Sequence, residues 1–207
     1  MPDLERIAPD LERIAAVILA GGEGRRMGGA DKGLLDYRGR PLIEWALAAL
    51  KPQVDECVIS ANRNLDTYAG YGHRVLTDTL PDYPGPLAGV LAALDAVDAD
   101  WLVVAPCDTP HLPADLVSRL REAAQQAKVP LAIAADDART HHTCFIVRAD
   151  QRDTLAAFLA RGERAVRRWQ AALASTTVRF DAACLANLNQ PDDLLARRLN
   201  PAGAKPN

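Results

Sequence analysis

The sequence lacks closely spaced cysteines, long apolar runs and an excess of one charge. Its four cysteines are far apart, with neither a CxxC pair nor the spacing of a zinc site, so we expect them to be reduced. No apolar run approaches the roughly 18 residues that span a bilayer, and the start of the chain lacks the basic patch and apolar core of a secretory signal. These absences argue against a membrane protein and predict a cytoplasmic location.

The charge balance argues against a general affinity for polyanions. The formal net charge is −3, so the surface as a whole does not attract nucleic acid or anionic membranes. Hydrophobic residues make up 49% of the 207 positions, which is enough for the core of one domain. Any phosphate that the protein binds must therefore be held by a local arrangement of residues.

The start of the chain repeats one heptad. PDLERIA occurs at residues 2–8 and again at 9–15, and only the second copy leads into an apolar strand. Two heptads are too few for a coiled coil, which needs at least three or four. We expect a disordered tail over residues 1–13, one domain over 14–200 and a short C-terminal tail over 201–207.

Short apolar runs then alternate with stretches of helical periodicity. Strands are predicted at 15–19, 57–61, 73–77, 101–105, 131–134, 143–147 and 177–180, and helices over 40–50, over 86–97 and from Pro113 onward. Continuous apolar strands separated by helices indicate a sheet that is covered on both faces. The expected fold is a single Rossmann-like α/β domain of three layers with a mostly parallel sheet.

A glycine-rich loop follows the first predicted strand. Residues 19–32 read LAGGEGRRMGGADK and combine five glycines with Arg25, Arg26 and Lys32. Glycine backbone can approach phosphate oxygens closely, and the cations supply countercharge. A plain tight turn would not need three cations, and the GxxxxGK[ST] pattern of a P-loop is absent. A dinucleotide-binding loop fits poorly, because the second strand ends at Asn62 without the expected carboxylate.

Polar side chains stand where three further strands end. They are Asn62, Asp78 and Asp108, and ligands of open α/β sheets bind at this carboxyl edge. Asp108 suits Mg²⁺, which prefers carboxylate and phosphate oxygens, but it could equally cap the helix that follows Pro113. Asn62 and Asp78 could likewise close ordinary turns.

The loop, the RGRPL turn at 38–42, YPGPLAG at 83–89, PCDTP at 106–110 and NLNQPDD at 187–193 together resemble the molybdenum cofactor guanylyltransferases. The resemblance runs from Ile14 to about Leu195 and implies the nucleotide-diphospho-sugar transferase type of fold. It implies transfer of GMP from GTP to the phosphate of molybdopterin, with release of pyrophosphate and with Mg²⁺ on Asp108. It also implies transient contact with molybdoenzymes or their chaperones.

The same resemblance implies roles for individual residues. Arg25, Lys32 and Asp108 would be catalytic. The nucleotide would be bound by Leu19, Ala20, Gly21, Gly22, Lys32, Asn62, Asp78 and Asp108, and the acceptor by Asn187 and Asn189. Near the acceptor, His142 stands where the family usually has proline. The alternatives are a cytidylyltransferase, a sugar-phosphate nucleotidyltransferase, or a nucleotide-binding regulatory module without turnover.

Overall fold

A computed structural model of the chain describes residues 12–20, 31–78 and 85–188. The strands in these residues are β1 (Ile14–Leu19), β2 (Asp36–Tyr37), β3 (Arg40–Pro41), β4 (Glu56–Ser60), β5 (Arg74–Leu76), β6 (Trp101–Pro106), β7 (Leu131–Ala135), β8 (Thr140–Arg148) and β9 (Ser175–Arg179). The α-helices are α1 (Leu42–Leu50), α2 (Leu65–Ala69), α3 (Pro86–Ala96), α4 (Leu116–Ala127), α5 (Arg152–Ala160) and α6 (Val166–Ala171). Single 3₁₀ turns lie at Lys32–Leu34, Lys51–Gln53 and Ala149–Gln151.

Seven of the strands form one sheet in the order β5-β4-β1-β6-β8-β7-β9. The pairs of β1 with β4 and β6, of β4 with β5 and of β7 with β9 are parallel. Only β8 runs against its neighbours, since its pairs with β6 and β7 are antiparallel. β2 and β3 form a separate two-stranded hairpin. The predicted mostly parallel sheet is therefore confirmed.

The helices cover both faces of this sheet. On one face, Ala16 and Ile18 of β1 pack with apolar residues of α1, α2 and α4. On the other, Ala15 and Val17 of the same strand pack with α3, α5 and α6. Alternate β1 residues thus enter opposite cores, as the two-residue period of a strand requires. The predicted three-layer architecture is confirmed as well.

The amino end of the described chain contacts the domain. Glu12 accepts hydrogen bonds from Trp101 Nε1 at 2.9 Å, Gln125 Nε2 at 2.8 Å and Arg148 at 3.0 Å. The backbone nitrogen of Arg13 donates to Asp100 at 2.8 Å. These two residues, which the sequence assigned to the tail, therefore contact the folded domain. The rest of that predicted tail, and the tail over 201–207, lie outside the described residues.

Several element bounds differ from their predictions. The helix expected from Pro113 begins at Leu116, and the strand expected over 143–147 extends over Thr140–Arg148. Neither the hairpin at 36–41 nor α2 was predicted from the sequence. Among the described residues, no helix is long and apolar enough to cross a membrane.

Candidate active site

The carboxyl ends of neighbouring parallel strands form one edge of the sheet, and backbone hydrogen bonds continue the pairing just past them. Ala20 N donates to Ser60 O at 2.8 Å, Ala61 N to Leu76 O at 2.9 Å, and Cys107 N to Leu19 O at 3.1 Å. These bonds hold the residues that follow β1, β4 and β6 beside the ends of the neighbouring strands. The predicted nucleotide-binding residues Leu19 and Ala20 lie at the centre of this edge.

Asp108, which follows β6, contacts residues from two distant segments of the chain. Its Oδ2 accepts from Lys32 Nζ at 2.6 Å, and its Oδ1 accepts from Asn187 Nδ2 at 2.7 Å. Leu188 N donates to the backbone oxygen of Asp108 at 2.9 Å. Two side chains that lie 76 and 79 positions from Asp108 in the sequence thus contact its carboxylate. Three of the predicted site residues are brought together here.

The alternative role of Asp108 as a helix cap does not hold. Helix α4 begins eight positions later, at Leu116, and its N-cap residue is Asp115. The Asp108 side chain is instead 10% exposed and pairs with Lys32, whose side chain is 24% exposed. A partly buried carboxylate with a lysine partner at a strand end is an arrangement that can hold and exchange cations.

Asn62 and Asp78 form a second pair at the same edge. Asn62 Nδ2 donates to Asp78 Oδ2 at 2.8 Å, and Asp78 N donates to Asn62 Oδ1 at 2.9 Å. Burial raises the pKa of Asp78 from its usual value, and the hydrogen bond from Asn62 acts against that rise. The other carboxylate oxygen, Oδ1, is buried and has no hydrogen-bond partner among the described residues. Such an acceptor is suited to a donor from a ligand.

Four predicted site residues lie outside the part of the chain that the structure describes. They are Gly21, Gly22 and Arg25 of the glycine loop, and Asn189. Their roles stay predictions from the sequence. One residue that sequence reasoning missed lies near the end of the loop: Asp31 is buried and precedes Lys32. The signal that could have identified it is a carboxylate placed next to the proposed phosphate-binding lysine.

The histidine pair is held by hydrogen bonds, with His141 buried and His142 partly exposed. His141 Nε2 lies 2.8 Å from Asp136 Oδ2, and this contact is the main cause of the lowered pKa of Asp136. His142 Nδ1 lies 2.7 Å from Oε1 of the buried Gln170, which also donates to His142 O at 3.0 Å. β8 is antiparallel to β6, so the start of β8 lies at the same edge as Asp108. The pair therefore borders the candidate site.

The donor set fits Mg²⁺ when phosphates and waters supply the remaining ligands. Within residues 12–20, 31–78 and 85–188, no group of three His, Cys, Asp or Glu side chains could hold a metal ion. Mg²⁺ in nucleotide enzymes commonly takes one or two carboxylates, with phosphates and waters as the other ligands. Asp108 meets that requirement, and its contact with the Lys32 ammonium shows that a cation is already favoured at this oxygen.

Comparison with known proteins agrees with this geometry. The profile of a family described as the MobA-like NTP transferase domain matches residues 16–177. A molybdenum cofactor guanylyltransferase of Burkholderia orbicola is 45% identical over 92% of this chain and 99% of its own length. That of Polynucleobacter asymbioticus is 43% identical over 88% of this chain and 94% of its own length.

Solved structures share the fold. The molybdopterin-guanine dinucleotide biosynthesis protein A of Archaeoglobus fulgidus superposes with a TM-score of 0.74 at 24% identity, covering 88% of this chain and 95% of its own. The 4-diphosphocytidyl-2C-methyl-D-erythritol synthase of Anaerococcus prevotii gives 0.74 at 12% identity, covering 91% and 99%. Because the family profile matches most of the chain, and relatives are 43% and 45% identical over nearly their whole length, the chain belongs to the MobA-like family of nucleotidyltransferases.

Proposed function

We propose that this protein transfers GMP from GTP to the phosphate of molybdopterin, releasing pyrophosphate and forming the guanine dinucleotide cofactor. The name molybdenum cofactor guanylyltransferase, carried by relatives that match nearly their whole length, supports this proposal. The observation that carries it within the molecule is the contact of Lys32, Asp108 and Asn187 at the carboxyl edge of the sheet.

The chemistry asks little of the protein beyond alignment and countercharge. The attacking phosphate of molybdopterin is already ionised near neutral pH, so no general base is needed. The Lys32 ammonium can neutralise charge that develops on the leaving pyrophosphate, while Arg25 is predicted to assist it. Asn187, whose amide already contacts Asp108 at 2.7 Å, would keep that carboxylate oriented and border the acceptor together with Asn189.

Mg²⁺ would be held by Asp108. When bound, the metal supplies countercharge to the phosphates on both sides of the bond that breaks. Because Lys32 contacts Asp108 Oδ2 at 2.6 Å, a metal held at this oxygen would compete with the ammonium. Asp108 would thereby exchange one cation for another.

The Asn62–Asp78 pair supports a guanine nucleotide. Asn62 directs both its amide oxygen and its amide nitrogen at Asp78, while Asp78 Oδ1 has no partner among the described residues. Guanine presents two adjacent donors, N1–H and the 2-amino group, to such a carboxylate. Cytosine presents only its 4-amino donor, next to an acceptor nitrogen. We therefore infer that Asp78 contacts the guanine edge and that Asn62 holds Asp78 in place.

The proposal is tested by pyrophosphate release with molybdopterin, Mg²⁺ and either GTP, CTP or ATP. We expect turnover with GTP and little with the others. Asp78→Asn should weaken GTP binding by about 10–100-fold, because a charged acceptor is lost, and should leave CTP binding unchanged. Asp98→Asn is the matched control, since Asp98 lies before β6, at the opposite edge, with its side chain 97% exposed.

Three outcomes would contradict the proposal. Faster turnover with CTP would move the protein to the cytidylyltransferases, and faster turnover with a sugar phosphate as acceptor would make it a sugar-phosphate nucleotidyltransferase. Nucleotide binding without pyrophosphate release from any nucleotide would indicate a regulatory module. The cytoplasmic location and the transient contact with molybdoenzymes or their chaperones stay predictions.

A further inference from the structure

Asp31 is a buried carboxylate that takes three partners from one neighbouring segment. Its side chain is 5% exposed. Oδ1 accepts from Tyr68 Oη at 2.5 Å, and Oδ2 accepts from Asn64 Nδ2 at 2.9 Å and lies 3.5 Å from Arg63 Nε. Burial of a charge is unfavourable unless it is paired and hydrogen-bonded, so these contacts fix where Asp31 can lie.

Arg63 and Asn64 belong to the connection between β4 and α2, and Tyr68 lies within α2. Asn64 is the N-cap position of α2 and adopts a left-handed backbone with φ of 51°. Two residues earlier in the same segment, Asn62 holds Asp78 through two hydrogen bonds. A single short connection therefore contacts the proposed base-binding carboxylate on one side and the residue before Lys32 on the other.

Gly33 makes the contact of Tyr68 with Asp31 possible. A Cβ atom at position 33 would lie 2.4 Å from the Tyr68 hydroxyl oxygen, closer than such atoms approach. The absence of a side chain there lets the tyrosine reach past the 3₁₀ turn to Asp31. Lys32 thus lies between a residue fixed by hydrogen bonds and a residue packed against a ring, and its ammonium contacts Asp108 at 2.6 Å.

We propose that Asp31, held by Tyr68, Asn64 and Arg63, is a positioning residue that directs Lys32 to the terminal phosphates of the bound nucleotide. The inference rests on the proposed function, because it assigns Lys32 to the triphosphate. A positioning role of Asp31 differs from a purely structural role in its effect on different nucleotides. A structural defect would weaken all nucleotides alike, whereas a misplaced Lys32 affects only those with terminal phosphates.

The test compares the binding of GMP, GDP and GTP by calorimetry in the presence of Mg²⁺. Tyr68→Phe removes the hydroxyl while keeping the ring, and Asp31→Asn removes the charge. We expect each to weaken GTP binding by about 5–20-fold and to leave GMP binding within about twofold, since one charge-assisted contact is misaligned. Tyr71→Phe is the matched control, because its ring lies 6.5 Å from that of Tyr68 and makes no contact with Asp31 in the described residues.

A second measurement repeats these variants in a Lys32→Ala background. If Asp31 acts through Lys32, Tyr68→Phe should cause no further loss of GTP affinity there, because coupled changes are not additive. Equal losses for GMP and GTP, or a full additional loss without Lys32, would overturn the inference. If the wild type prefers CTP, the proposed function fails instead, and the same comparison is made with CMP and CTP. Tyr68→Phe, which preserves core packing, keeps the test decisive if Asp31→Asn does not fold.

Discussion

Replacing Lys32 by methionine should strengthen metal binding in the absence of nucleotide. In the structure the Lys32 ammonium lies 2.6 Å from Asp108 Oδ2, and the Asn187 amide lies 2.7 Å from Oδ1. A divalent cation that binds Asp108 therefore competes with a cation that is already there. Methionine retains the length and the apolar stem of lysine but removes the charge, so the competition disappears.

The expected size follows from the contact that is removed. A hydrogen bond with a charged partner contributes about 1.5–3 kcal/mol net, and this pair is shielded enough from water for that range to apply. At about 1.4 kcal/mol per tenfold change, metal affinity should rise by roughly 10–100-fold. GTP affinity should fall in the same variant, because the proposed contact with the terminal phosphates is lost. Opposite changes for metal and nucleotide are the distinctive result.

The assay is a titration with Mn²⁺, a paramagnetic substitute for Mg²⁺, followed by electron paramagnetic resonance without nucleotide. Lys51→Met is the matched control, since Lys51 is exposed and follows α1, near the opposite edge of the sheet. Adding Asp108→Asn to Lys32→Met should abolish the gain. If Lys32→Met binds Mn²⁺ no more tightly than the wild type does, the metal is not held at Asp108 Oδ2 and the exchange of cations is wrong.

Two further predictions concern stability, each measured by urea denaturation. Gly89→Ala would place a Cβ 2.2 Å from Ser60 Oγ, so we expect the free energy of unfolding to fall by about 1–2 kcal/mol. Adding Ser60→Ala should largely restore it. An unchanged midpoint for Gly89→Ala would refute the close approach. Deletion of residues 1–9 should change stability by less than about 1 kcal/mol, whereas Glu12→Ala should lower it by about 1–2 kcal/mol. The hydrogen bond from Trp101 is the main cause of the lowered pKa of Glu12. The stability that Glu12 contributes is therefore present near neutral pH and is lost as pH falls through that lowered pKa. A difference between wild type and Glu12→Ala that does not change with pH would contradict this.

The sequence predicted the central part of the fold because its strands are continuously apolar. β1, β4 and β6 are buried on both faces. A strand in that position reads as a continuous apolar run, without alternating polar residues, and is easy to identify in the sequence. The direction of β8 could not be predicted in the same way. An apolar run identifies a strand but carries no sign for parallel or antiparallel pairing, which depends on how the chain returns to the sheet.

Short elements were missed for a related reason. Helix α2 has only five residues, too few to display helical periodicity, and its N-cap Asn64 makes no capping hydrogen bond with its side chain. That side chain donates to Asp31 instead, so its role is tertiary rather than local. The β2–β3 hairpin turns through Arg38 and Gly39, both at positive φ, and only the glycine gave a local signal for this turn.

The sequence could predict which polar residues stand at the strand ends, but not which of their side chains contact each other. Asn62, Asp78 and Asp108 were singled out because polar residues follow apolar strands, and the structure brings them to one edge. The contact of Asp108 with Lys32 joins residues 76 positions apart, and no local pattern encodes it. Asp31 was not predicted as a site residue, because its hydrogen-bond partners Asn64 and Tyr68 lie 33 and 37 positions away in sequence.

Under the proposed function, the arrangement of charges around Lys32 would let a chain of slightly negative net charge hold a triphosphate. The lysine lies between two carboxylates of the described chain, Asp31 in sequence and Asp108 in space, and its ammonium contacts Asp108 at 2.6 Å. Nucleotide and Mg²⁺ would arrive together, one carrying negative charge and the other positive. The metal can then pair with Asp108 while the phosphates pair with Lys32, so each charge exchanges one partner for another and none is left buried alone. Asp31, with its own donors already in place, can keep the backbone of Lys32 fixed throughout that exchange.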